Sequence, residues 1–153
     1  MSSYRPQAEQ PRPAPARRVS LQYKSGSWSI VSARKTPPTI LPASESLTPK
    51  SAHTQSGAWC ELADGRGRLV YRRFIYDLYG QIGEEFEKGR PVALITEPRE
   101  RVVSLLVPNL PEGGRLHLYS SPPLSPSRAE KAEAGARRVA SFDLPPEETE
   151  HKR

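Results

Sequence analysis

From Val19 to Val31 apolar and polar residues alternate: Val19, Leu21 and Tyr23 fall on one side of an extended chain, Ser20 and Gln22 on the other. After Ser25-Gly26 the alternation resumes with Trp28 and Ile30 about Ser29. A period of two is that of a half-buried strand. A two-residue reversal at Ser25-Gly26 places Leu21 opposite Ile30 and Tyr23 opposite Trp28, an antiparallel hairpin with one apolar face and one face in water. The densest pattern, Gly57 to Ile75 (GAWCELADGRGRLVYRRFI), reads as a second hairpin turning at Asp64-Gly65-Arg66-Gly67. Pairing about that turn sets Leu62 opposite Leu69 and Cys60 opposite Tyr71 on a core face, with Glu61 opposite Val70 and Trp59 opposite Arg72 on the other.

Further along, Tyr76 to Lys88 has no clear period, and the stretch Gly83 to Lys88 suits a short helix. Pro91 to Ile95 is a short apolar run; Val102 to Val107 is nearly continuous and predicts a central strand covered on both faces. Leu116 and Leu118 face one way, with Arg115, His117 and Tyr119 facing the other. Arg128 to Arg137 is charged and alanine-rich enough for a turn or two of helix, and Val139 to Leu144 predicts a last strand at an edge. These elements predict an all-β chain, a two-sheet antiparallel β-sandwich of about seven or eight short strands. Its core is expected on Leu21, Tyr23, Trp28, Ile30, Cys60, Leu62, Leu69, Tyr71, Val103, Leu105, Val107, Leu116, Leu118 and Phe142. The sandwich is expected over residues 17–144, with a long Pro/Ser/Thr-rich loop at 35–56, a disordered basic proline-rich tail at 1–16 and a polar tail at 145–153.

The composition narrows this picture. With 17 prolines among 153 residues and a mean hydropathy of -0.66, the packed part must be smaller than the chain. The formal charge of +6 sits in the first third: +4 up to Lys24, +2 from Ser25 to Ser56, and a balance beyond. Basicity confined to one end is a weak pointer to nucleic acid. The single Cys60 excludes an internal disulfide and any cysteine-rich metal site. The N-terminus lacks the apolar stretch of a secretory signal, and no run approaches the roughly 20 apolar residues of a membrane span. A cytoplasmic protein with no membrane contact is the expectation.

Candidate chemistry is sparse. His53 falls in the long loop, His151 in the tail, and His117 on the polar side of a strand, so no nucleophile, base and orienting group assemble. Asp77, Glu84, Glu85 and Glu87 concentrate acid near a glycine-containing loop but lack the spacing of a calcium loop. No phosphate-binding or dinucleotide motif occurs, so no cofactor is expected.

Trp59-Cys60-Glu61-Leu62, Asp64, Gly67-Arg68, Tyr71-Arg72-Arg73 and the strand exit Val107-Pro108-Asn109-Leu110-Pro111 resemble small bacterial β-sandwich modules. Similar modules stand alone or accompany metallopeptidases of the immunoglobulin A peptidase type. The resemblance spans about residues 57–121 and implies a sandwich with a noncatalytic role. The zinc motif of those peptidases is absent, so no catalytic residue carries over. The favoured expectation is a noncatalytic protein-binding or scaffold module, a subunit of a larger bacterial assembly. Its protein partner would be recognised through Trp59, Arg68, Arg72 and Arg73, because aromatic and arginine side chains dominate binding hot spots. Trp59 is open to two readings, surface anchor or core. The alternatives are a nucleic-acid-binding accessory protein acting through its basic N-terminal third, and an enzyme with an unrecognised site.

Overall fold

The computed structural model describes residues 12–46, 56–124 and 135–146. Expectations for the arm at 1–11, the loop at 47–55, the helical turns from Arg128 and the C-terminal tail, with His53 and His151, lie outside the described residues. The first hairpin forms as the alternation predicts. β1 (Ala14–Lys24) and β2 (Ser27–Thr39) pair with Leu21 opposite Ile30 and Tyr23 opposite Trp28. Ser25 and Gly26 both take positive φ, 52° and 78°, the two-residue turn whose twist suits a hairpin.

Both strands outrun their expected limits. β1 lies between β2 and a third strand, so its backbone is drawn into two ladders as far as Ala16, opposite Thr36 and Pro108. β2 continues past Lys35 into the stretch read as loop. Pro37 and Pro38 fit there because they fall in the register shift between the Thr36 and Thr39 pairings, where the ladder does not need their missing N–H groups.

The third strand of this sheet is β7 (Arg101–Pro108), and the order β2-β1-β7 makes it an edge. That corrects the expectation of a central strand: Leu105 and Val107 point into the core, while Val102, 54% exposed, lies on the open face. The second sheet has the order β4-β3-β8-β9, built from β3 (Ala58–Ala63), β4 (Leu69–Phe74), β8 (Gly114–Ser120) and β9 (Arg137–Leu144). Val19, Leu21, Leu105 and Val107 of the first sheet meet Cys60, Leu62, Tyr71, Leu116, Leu118, Phe142 and Leu144 of the second in one core. The chain is an all-β sandwich. Ile30 and Leu69, expected inside, are exposed at edge strands, whereas Leu78 and Tyr79 are buried from a stretch without period.

The second hairpin turns later than expected. Asp64 Oδ1 accepts the backbone N–H groups of Arg66 and Arg68, and the Asp64 and Arg68 side chains pair at 3.0 Å, which closes a wider loop. The ladder therefore shifts by two residues: Leu62 opposes Tyr71, Glu61 opposes Arg72 and Trp59 opposes Phe74. A two-residue shift keeps every side chain on its predicted face but changes its neighbour.

A further ribbon, β5 (Ile82–Glu87) with β6 (Arg90–Ile95), stands apart from both sheets. It replaces the short helix expected at Gly83 to Lys88. Lys88 and Gly89 take positive φ of 52° and 76°, a second two-residue turn that commits both flanks to a hairpin.

Candidate functional site

The four residues expected to form one binding patch are separated. Trp59 lies on the outer face of the four-stranded sheet but is only 2% exposed. Its neighbours across the strands are Phe74 and Tyr119, and beyond Tyr119 comes Arg138, so one row crosses all four strands. The indole stacks on Tyr119 at 5.4 Å with 9° between planes and meets Phe74 edge-on at 5.8 Å. The cation on this row is Arg138, 5.7 Å from the Tyr119 ring centre, rather than Arg72.

Arg72 belongs to the next row, where its guanidinium pairs with Glu61 at 2.7 Å with both side chains largely covered. Its backbone N–H donates to Ser44 Oγ and its carbonyl accepts from the N–H of Glu45, so residues 44–45 lie along the β4 edge and close it. Arg73 opposes Cys60 on the other face, and Arg68 is held in the turn by Asp64. His117 shares the row of Glu61, with Nδ1 2.7 Å from Ser141 Oγ. Partial burial, then the charges of Arg138 and Arg115, hold its imidazolium below the usual range. Burial pushes the Cys60 thiol up to about 11, so it stays protonated at neutral pH.

A seam lies between two of the remaining edges, β2 of one sheet and β9 of the other. A cleft of about 530 Å³ lies there, within the roughly 300–1,000 Å³ common for binding clefts. Its floor is aromatic. Tyr23 and Trp28 are 5.0 Å apart between ring centres, and Tyr79 meets them at 5.1 and 5.9 Å. The indole Nε1 of Trp28 is buried without a hydrogen-bond acceptor among the described residues. Arg137, Arg138 and Val139 on β9 form the far wall, and among the described residues no carboxylate lines the cleft. A second cleft, about 490 Å³, sets Asp64, Glu112 and Asp143 beside Arg115 and Arg138, with Arg115 and Asp143 paired at 2.9 Å.

Beside the seam stands the β5–β6 ribbon. Its root is rigid: Asp77 accepts the N–H groups of Gln81 and Ile82 through its two oxygens, and the Gln81 side chain bonds Thr96 and both the N–H and C=O of Leu124. That accounts for Asp77 as a turn residue. Beyond the root, Ile82, Phe86, Val92 and Leu94 are exposed, Phe86 by 73%. Among the described residues no other strand pairs with this apolar arm.

Among the described residues no group of His, Cys, Asp and Glu could hold a metal ion, and no helix is long and apolar enough to cross a membrane. In comparisons with known proteins, no family model, no curated protein and no solved structure matches this chain. Of the residues that form the seam, Tyr23 and Trp28 were visible in the sequence as an apolar pair. Tyr79 and Arg138 were not, since each becomes a neighbour only through strand order.

Proposed function

We propose that the protein is a noncatalytic protein-binding module, and that its docking site is the seam between β2 and β9 rather than the arginines of the second hairpin. The observation that carries this reading is an aromatic floor lying between two strand edges, β2 and β9, that have no strand partner on their outer side among the described residues. Strand edges offer backbone donors and acceptors to an extended segment. The Tyr and Trp rings supply contact area at small entropic cost. With Arg137 and Arg138 on the wall and no carboxylate among the described lining residues, the segment that fits carries acidic groups beside an apolar one. A noncatalytic role also agrees with what the resemblance to accessory β-sandwich modules implies.

The test is affinity capture from the cells that make the protein, with wild type and Val139→Asp compared side by side. Val139 is exposed, so the variant keeps the fold, and the captured partner should be lost. Retention of the partner by a folded Val139→Asp protein would remove the seam from consideration. Binding to DNA or RNA that weakens steeply with salt would instead favour the basic N-terminal third as the working surface.

A further inference from the structure

We infer that the seam receives the β5–β6 arm of a second copy of this chain, so that two copies exchange arms. This rests on the seam being a docking site and names its occupant. Three observations converge. The arm exposes Phe86 at its end, together with Ile82, Val92 and Leu94, and an apolar ribbon in water gains by being covered. In sequence the arm carries Glu84, Glu85 and Glu87 against Lys88 and Arg90, an acidic excess, while the described lining of the seam carries Arg137 and Arg138 and no carboxylate, so the two differ in the sign of their charge.

The third observation is position. Tyr79, part of the aromatic floor, lies two residues before Gln81, which anchors the arm's root to Thr96 and Leu124. The arm thus springs from the border of the seam. Its six-residue strands are about 20 Å long, enough to cross to a neighbour. When donor and acceptor sit side by side, a two-fold axis satisfies both at once: each copy gives its arm and receives the other's, which closes the assembly at two. In that arrangement Phe86 lies against the partly buried rings of Tyr23 and Trp28.

Sedimentation equilibrium of the full chain is the measurement. The expected result is a concentration-dependent monomer–dimer equilibrium, weakened about tenfold or more by Phe86→Asp and by Val139→Asp, each variant keeping the wild-type far-ultraviolet circular dichroism. Mixing the two variants should recover dimer, because the intact arm of one meets the intact seam of the other. A chain that remains monomeric to about 1 mM overturns the exchange. So does dimerisation that Phe86→Asp abolishes and Val139→Asp leaves intact, since arms would then pair with arms. Failure of the mixture to dimerise also overturns it. If the chain is monomeric while Val139→Asp still loses the captured partner, the exchange falls and the seam reading stands.

Discussion

Trp59 faces away from the sandwich core and is nevertheless closed off, held between Tyr119 and Phe74. Trp59→Ala should therefore cost about 3–5 kcal/mol, read as a fall in the urea midpoint; a loss under about 1 kcal/mol would mean an open ring. Cys60 should resist thiol reagents in the native protein at neutral pH and react only on unfolding, because burial keeps it protonated. At His117 the folded chain disfavours the imidazolium, so as pH falls through the ordinary value of 6.5 the unfolded chain takes up the proton first and stability is lost. The loss levels off once the folded ring also titrates. His117→Gln should flatten this part of the melting temperature against pH, and an unchanged slope would contradict the assignment. At this scale the sequence showed the inward side of Cys60, Leu62 and Tyr71, since a period of two determines facing. It could not decide whether Trp59 is covered, because that depends on Tyr119, sixty residues away in the chain and adjacent only across the sheet.

The elements divide by how they turn. Where a turn is two residues long, as at Ser25-Gly26, register was legible to the residue. Where Asp64 gathers the backbone N–H groups of Arg66 and Arg68 into a wider loop, the register shifted by two and carried Arg72 from Trp59 to Glu61. The β5–β6 ribbon was the element least visible, since apolar residues on both of its faces leave no alternation to detect. Because it is rooted through Asp77 and Gln81 and, among the described residues, pairs with no other strand, replacing Gly83–Leu94 by an Asn-Gly turn should leave the sandwich intact. At a concentration where the chain is monomeric, the melting temperature should move by less than about 4 °C, the equivalent of roughly 1 kcal/mol. A larger fall would show that the arm packs on its own chain.

For the whole molecule, the all-β sandwich followed from alternation and turn spacing, but strand order did not. Nothing in Val102 to Val107 distinguishes an edge from a centre, and the pairing of β9 with β8 is what leaves one side of the sandwich open. The working surface arises from that order. Tyr23 and Trp28 come from the first hairpin, Tyr79 from the root of the arm, and Arg137 to Val139 from the last strand. Site-directed photo-crosslinking in the producing cells tests this most directly, with the crosslinking residue placed at Val139 in the seam or at Ser104 on the open face of the other sheet. The seam position should give a discrete protein adduct and the Ser104 position none; adducts from Ser104 alone would contradict the account.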